Sequence, residues 1–150
     1  MSNRVVATID IDAPPQEIWD IVMDPARAGD WVTIHRRLGK HDTGPLKRGF
    51  RMEQTLCLRG MNFKVKWELT EVDAPSYARW EGKGPARSKA LIIEKLVETE
   101  AGTCFRYENE FKAPLGPLGS AASRALVGGL PKREASTSLE KLKALVESGG

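Results

Sequence analysis

Cysteine and histidine are scarce in this 150-residue chain, which contains two of each. Cys57 and Cys104 are too few for a disulfide framework or a tetrahedral zinc site, and we expect both to be packing or surface residues. His35 and His41 lie six positions apart with no third ligand at a matching spacing, so no metal site is predicted. Alternation with its neighbours is expected to point His35 outward. We expect no cofactor.

Long apolar runs are also absent. No segment approaches the roughly 18 apolar residues of a membrane span, and no N-terminal stretch joins a basic end to an apolar run. These absences predict a cytoplasmic protein without stable membrane anchoring. The chain has no repeat or low-complexity segment, and its length suits a single domain over residues 1–150.

An excess of one charge is missing as well. The net charge of +3 comes from 23 basic and 20 acidic side chains that are largely interspersed. The basic pairs Arg36-Arg37 and Lys47-Arg48 have no stacking strand or recognition-helix signature beside them, so no nucleic-acid partner is expected. The chain also lacks a glycine-rich phosphate loop with a following helix and a Gly-x-Ser-x-Gly nucleophile motif.

The most informative stretch lies near the start of the chain. Apolar and polar residues alternate over 5–12, which predicts an antiparallel strand with one buried face. The Pro-Pro pair at 14–15 begins a short helix, and Pro25 ends it. Trp19 on this helix and Trp31 after it are expected in the core rather than stacked on a ligand.

Alternation between turn residues predicts six further strands, at about 34–41, 49–59, 62–73, 77–83, 88–99 and 103–112. From Pro117 the spacing of leucine and alanine becomes helical. Gly128-Gly129 and Pro131 interrupt this helix, where a bend or a break is expected. The interruption either lets the helix follow the curvature of the sheet or forms a hinge that opens a cavity mouth.

Six segments carry a resemblance to a known family: IDAPPQEIWDIVMDP at 11–25, Trp31, Gly49-Phe50-Arg51, VDAPSYARWEG at 72–82, GTCFRYENEF at 102–111 and LEKLKALVE at 139–147. In their order the chain resembles the SRPBCC superfamily of START-like and Bet v 1-like helix-grip proteins, in its polyketide cyclase/dehydrase-like branch. The resemblance implies an α+β fold. A curved seven-stranded antiparallel sheet, with two short helices after the first strand, would wrap around a long C-terminal helix. It also implies a cavity between sheet and helix that takes a ligand, but no single chemistry.

Alternation assigns side chains to the inner face of this sheet. The inward residues of the third, fourth, fifth and seventh strands are expected to be Phe50, Met52, Gln54, Leu56, Leu58, Phe63, Val65, Trp67, Leu69, Ala78, Trp80, Phe105, Tyr107, Asn109 and Phe111.

The strand at 88–99 is apolar on both faces over half its length, so its register stays open. We favour an interior Glu94 face, because the family buries a leucine where this chain has Leu96. Leu91 and Ile93 would then lie outside as a small exposed apolar patch able to support a homodimer. In the other register, Glu94 is a surface carboxylate.

The candidate ligand-binding residues are the inward side chains around the implied cavity: Met52, Gln54, Leu56, Val65, Trp67, Trp80, Ile92, Glu94, Phe105, Tyr107, Asn109, Leu126 and Leu130. Four of them are polar, and polar groups in an apolar pocket orient a ligand. In the alternative interpretation, Gln54 and Asn109 satisfy each other, the helix or ordered water, and Glu94 lies near the open end.

Three function hypotheses follow. The leading one is a module that binds a hydrophobic or amphipathic small molecule such as a lipid, isoprenoid, polyketide-like or aromatic compound. The second is a polyketide cyclase, aromatase or dehydratase in which Glu94, Tyr107 and Asn109 act as acid/base and orienting groups. The third is a protein-interaction module with a filled interior and an apolar outer patch near Leu91 and Ile93.

Overall fold

Seven antiparallel strands form one sheet in a computed structural model that describes residues 2–112 and 129–149. The strands are β1 (Ser2–Ile11), β2 (His35–His41), β3 (Arg51–Leu58), β4 (Met61–Asp73), β5 (Tyr77–Lys83), β6 (Lys89–Thr99) and β7 (Gly102–Lys112). Their order across the sheet is β1-β7-β6-β5-β4-β3-β2, so only the β1–β7 pair joins strands distant in sequence. This curved sheet and its helices confirm the predicted helix-grip fold.

Short helices follow β1 as the proline pattern predicts. Helix α1 spans Pro15–Val22 and α2 spans Ala28–Trp31, with a 3₁₀ turn at Pro25–Arg27 between them. Pro15 occupies the first helical position, where a missing N–H leaves no hydrogen bond unmade. The Asp24 carboxylate accepts a 3.0 Å hydrogen bond from the Ala26 N–H and so caps the 3₁₀ turn.

The C-terminal helix α3 spans Lys132–Glu147 and packs against β1 and α2. Its buried apolar stripe repeats at helical spacing through Ala135, Leu139, Leu142 and Val146. Residues 129–131 are not helical, and α3 begins directly after Pro131. The rest of the predicted helix, including Leu126 and Gly128, lies outside the described residues.

Polar contacts hold α3 in its N-terminal half and near its C-terminal end. The Ser138 hydroxyl accepts a 3.0 Å bond from the Thr33 N–H, just after α2. Near the other end, the Lys143 ammonium donates to the Asp10 carbonyl at 2.7 Å. The Glu147 carboxylate accepts from the Asp12 N–H at 2.9 Å. These bonds join the helix to both ends of the segment that leads from β1 through α1 and α2.

The sheet faces agree with the predicted alternation in β3, β4, β5 and β7. Every inward residue named for these strands is buried except Met52, which is half-buried. In β6, Glu94 is 4% exposed and Leu96 also faces the core, so the favoured register is correct.

The predicted apolar patch outside β6 is wrong. Ile93 lies on the outer face but is only 8% exposed, and Leu91 is half-buried. Arg79 and Glu108 flank Ile93 in register on the same face, and long charged side chains of this kind cover apolar neighbours with their methylene stems. Among the residues described, Val97 is the large apolar side chain that stays exposed, at 59%.

A close approach within the sheet depends on Gly82 in β5. A Cβ at this position would lie 2.6 Å from Val65 Cγ1 and 2.7 Å from the Trp67 ring. Both neighbours are buried in β4. The absent side chain therefore lets Trp67 lie across β5.

We expect Gly82→Ala to lower the free energy of unfolding by about 1–3 kcal/mol, because a methyl group forced into a packed core displaces its neighbours. Urea denaturation measures this change. Glu81→Ala, at the exposed neighbouring position, serves as the control and should stay within about 0.5 kcal/mol of the unsubstituted protein. Equal stability of Gly82→Ala and the control would contradict the packing described.

Candidate functional site

A cavity of about 60 Å³ lies between the inner face of the sheet and the segment from the end of α1 to the start of β2. The described residues that line it are Val22, Met23, Asp24, Pro25, Ala28, Trp31, Val32, Ile34, Met52, Gln54, Leu56, Trp67, Trp80, Ile92, Glu94, Tyr107 and Asn109. Within the described part of the chain, α3 contributes no lining residue. Its apolar stripe packs against β1 and α2, so among the described helices the end of α1 and α2 face the cavity.

The lining divides into a buried floor and a half-buried outer end. Strands β3 to β7 and Trp31 form the floor, which is apolar except for a few side chains. The half-buried residues of the outer end are Val22, Asp24, Pro25, Ala28, Val32, Met52 and Ile92. A ligand in this cavity would meet the floor with its buried part and the α1–α2 segment with the rest.

Gln54 is satisfied within the protein. Its carbonyl oxygen accepts a 2.9 Å hydrogen bond from the Trp67 indole N–H. Its amide nitrogen lies 2.9 Å from His35 Nδ1. Burial, and secondarily Arg36, lowers the pKa of His35, which favours the neutral ring that accepts this bond. Gln54 has no free polar atom to orient a ligand by itself.

The same contact corrects the predicted direction of His35. The side chain is half-buried and reaches the inward-facing Gln54 rather than solvent. The pairing of β2 with β3 shifts register between His35 and Arg37. Such a bulge breaks the alternation from which the outward direction was predicted.

Three buried polar atoms on the cavity find no hydrogen-bond partner among the described residues. They are Nε1 of Trp31, Oε1 of Glu94 and Oδ1 of Asn109. Their side chains are 3%, 4% and 3% exposed, respectively. An unpaired buried polar atom destabilises a protein by about 1–3 kcal/mol, and proteins keep few of them. Three such atoms on side chains that line one cavity make it the candidate site for a polar group from outside the chain.

Burial raises the pKa of Glu94 to about 8, although a hydrogen bond from Trp80 opposes the change. No lysine, arginine or histidine stands among the described lining residues to favour the carboxylate. Glu94 is therefore largely protonated at neutral pH. Next to it, burial raises the pKa of Tyr107, whose hydroxyl lies 3.4 Å from Asn109 Nδ2. The floor is uncharged at neutral pH.

The structure brings most of the sequence-predicted ligand-binding residues to one cavity. Nine of the thirteen line it: Met52, Gln54, Leu56, Trp67, Trp80, Ile92, Glu94, Tyr107 and Asn109. Val65, Phe105 and Leu130 are buried but do not line it. Leu126 lies outside the described residues. Whether any of them binds a ligand stays a prediction.

Sequence reasoning missed the α1–α2 side of the cavity. Trp31, which we placed in the core, is indeed buried and packs edge-on against Tyr107 with ring centroids 5.9 Å apart, but it also lines the cavity. Period-two alternation assigns faces only to strands, so it gave no signal for the residues between Val22 and Ile34. The short, proline-bounded helices facing an apolar sheet were the available clue.

A comparison with protein families identifies the group. The family model described as polyketide cyclase/dehydrase and lipid transport matches residues 2–147. The chain belongs to this family. Membership confirms the resemblance inferred from the motifs, and within the family the fold supports a hydrophobic ligand site without fixing the ligand.

Two relatives within curated proteins come from Mycobacterium tuberculosis. The uncharacterized protein Rv1546 is 30% identical over 85% of this chain and 91% of its own length. The protein named toxin Rv0910 is 27% identical over 82% of this chain and 87% of its own length. Among solved structures, Ara h 8.0201 superposes with a TM-score of 0.66 at 13% identity, covering 99% of this chain and 100% of that one. At this identity the last match shows the fold alone.

Two searches of the described residues are negative. No helix within 2–112 or 129–149 has the length and apolar composition needed to cross a membrane. In the same residues, no three histidine, cysteine, aspartate or glutamate side chains gather as a metal site.

The raised pKa of Glu94 predicts a pH-dependent stability. Native Glu94, with a pKa of about 8, keeps its proton up to about that pH, whereas the pKa of a free glutamate side chain is 4.5. The native state therefore binds more protons in this interval, so the free energy of unfolding falls as pH rises through it. Since one pKa unit corresponds to about 1.4 kcal/mol, the fall amounts to a few kcal/mol.

Urea denaturation between pH 5 and pH 8 tests this prediction in the unsubstituted protein and in Glu94→Gln, which cannot ionise. The difference in stability between the two proteins should shift steadily in favour of Glu94→Gln as the pH rises. Glu98→Gln, at an exposed position of β6, controls for the loss of one carboxyl group. A pH-independent difference between Glu94→Gln and the unsubstituted protein would contradict a buried, protonated Glu94.

Proposed function

We propose that this protein binds a hydrophobic or amphipathic small molecule, with a polar group of the ligand on the cavity floor. One observation carries the proposal: Trp31, Glu94 and Asn109, which all line a single, largely apolar cavity, each have a buried polar atom without a partner among the described residues. Ligand sites combine apolar walls with a few placed polar groups in this way. Membership of a family that includes lipid transport supports the same function.

The size of the cavity limits what it holds without rearrangement. A volume of about 60 Å³ takes a few atoms, whereas a cavity of about 150 Å³ is known to bind benzene. A lipid-sized or polycyclic ligand therefore needs the outer end to open. That end consists of the last residues of α1, a 3₁₀ turn and the four-residue helix α2. Short elements of this kind rearrange more readily than the paired strands of the floor.

Fluorescence of N-phenyl-1-naphthylamine, an uncharged probe that brightens in apolar surroundings, tests the proposal. The unsubstituted protein should give saturable binding and a raised melting temperature. Ala28→Phe places a ring at the outer end of the cavity and should weaken probe binding at least tenfold.

Ala26→Phe supplies the matched control, because Ala26 is exposed on the neighbouring 3₁₀ turn and does not line the cavity. It should bind the probe as the unsubstituted protein does. Equal loss in the two variants, or no saturable binding by the unsubstituted protein, would contradict a ligand site at this cavity. Native mass spectrometry of freshly purified protein, followed by denaturing extraction, identifies any compound that it retains.

A second function, acid/base catalysis, is favoured by one specific observation. Glu94 is a cavity carboxyl with a pKa of about 8, near the value that suits proton transfer at neutral pH. Tyr107 and Asn109 stand beside it on β7, where they could orient a carbonyl or hydroxyl group. A cyclase- or dehydratase-type reaction on a polyketide-like chain fits this arrangement.

If the protein turns over such a substrate, Glu94→Gln should abolish the reaction while leaving substrate binding nearly intact, because glutamine keeps the shape but transfers no proton. The measurement is the single-turnover rate at saturating substrate. Glu98→Gln, far along β6 and exposed, should retain the full rate. An unchanged rate in Glu94→Gln would exclude Glu94 as the acid or base.

The third hypothesis, an interaction module with a vestigial cavity, requires two features that the described residues do not show. It requires an exposed apolar patch at Leu91 and Ile93, but Ile93 is buried under charged neighbours. It also requires a filled interior, whereas the structure contains a cavity with three unpaired polar atoms.

A further inference from the structure

The unpartnered atoms of the cavity floor differ in what they can do. Nε1 of Trp31 only donates a hydrogen bond, and Oδ1 of Asn109 only accepts one. The Glu94 carboxyl can both donate and accept when protonated, and it only accepts when ionised. Since none of the three atoms has a partner among the described residues, a ligand satisfies all of them only if it carries both an acceptor and a donor.

Gln54 and Tyr107, two other polar side chains of the floor, each have at least one hydrogen-bond partner. Gln54 accepts from Trp67 and contacts His35, so both ends of its amide are used. The Tyr107 hydroxyl takes a long bond from the Asn109 amide nitrogen, which leaves the Asn109 oxygen as the free end of that side chain. Recognition of a ligand's polar head therefore falls to Trp31, Glu94 and Asn109.

The charge of the lining disfavours an anionic ligand, and its donors and acceptors disfavour a cationic one. The only titratable side chains among the described lining residues are Asp24 at the outer end and Glu94 and Tyr107 on the floor. A carboxylate or phosphate on the floor would be buried without a cation. An amidinium-type cation carries donors only and would leave the Trp31 N–H without an acceptor.

Resting on the proposed function, we propose that the cavity selects uncharged ligands whose buried head carries both an acceptor and a donor, as a carboxamide or lactam does, and that it excludes carboxylates and amidinium-type cations. The ligand carbonyl accepts from Trp31 Nε1 and from the Glu94 carboxyl. The ligand N–H donates to Asn109 Oδ1. The apolar remainder of the ligand extends towards Ala28 and Met52 at the outer end.

Four probes of five or so heavy atoms, suited to the volume of the cavity, separate these requirements. Propanamide offers an acceptor and a donor, butanone an acceptor alone, propanoate an anion and propanamidinium a cation. All four share one shape. The indole ¹H–¹⁵N resonance of Trp31 reports binding directly, and the missing signal in Trp31→Phe assigns it among the four tryptophans. Xenon under pressure serves as an apolar probe of the same cavity.

We expect propanamide to shift the Trp31 resonance saturably at pH 7. Butanone should bind about fivefold more weakly than propanamide, because it lacks the N–H group and so loses one hydrogen bond. Propanoate and propanamidinium should bind at least tenfold more weakly than propanamide. Asn109→Leu should remove the preference for propanamide over butanone, and Asn62→Leu, at an exposed position of β4, should keep it.

Each contrary result has a distinct meaning. Propanoate or propanamidinium binding as tightly as propanamide would overturn the selection for an uncharged head. Butanone binding as tightly as propanamide would overturn the role of Asn109. In both cases the proposed ligand-binding function would stand. No response to any of the four probes or to xenon would instead contradict the proposed function. The probe series on the unsubstituted protein decides these points even if Asn109→Leu does not fold.

Discussion

The register of β6 between β5 and β7 determines the chemistry of the cavity. Glu94 pairs with Ala78 on one side and Tyr107 on the other, and Ile92 pairs with Trp80 and Asn109. Because side chains alternate along a strand, a slip by one residue would turn Lys95 inward and move Glu94 to the outer surface. Burial of Leu96 against the core opposes that slip. An ordinary packing requirement thus holds a carboxyl group inside the sheet.

Two glutamates on opposite faces of the same sheet show what this placement does. Glu108 is also buried, but it lies on the outer face, where Arg106, Arg4 and Lys95 contact its carboxylate at 2.8, 3.1 and 3.8 Å. The hydrogen bond from Arg106, with the nearby positive charges, lowers the pKa of Glu108 despite its burial. Glu94 has no such partners, and burial raises its pKa. Both carboxyl groups are buried, but only Glu108 has cations beside it. The lack of a neighbouring cation therefore distinguishes the carboxyl group in the cavity from one in a structural ion pair.

The sequence predicted what alternation and turn residues encode. The strands end within a few residues of their expected positions, and the inward faces of β3, β4 and β7 are correct. Other features depend on tertiary packing. The burial of Ile93 depends on side chains from two neighbouring strands, and the direction of the His35 side chain depends on a β-bulge. Trp31 forms part of the cavity because α2 lies over the sheet. The periodicity of a single sequence does not predict that placement.

The three unpaired atoms link ligand selection to stability. Each destabilises the empty protein by about 1–3 kcal/mol, and a ligand that pairs with all three removes this penalty on binding. A ligand that lacks one matching group leaves that atom buried and unpaired, so discrimination exceeds the strength of a single exposed hydrogen bond. Apolar contact with Leu56, Trp67 and Ile92 distinguishes ligands far less, because any methylene group satisfies it. At the proposed ligand site, the apolar walls would therefore give affinity for many compounds, and Trp31, Glu94 and Asn109 would restrict which of them are held.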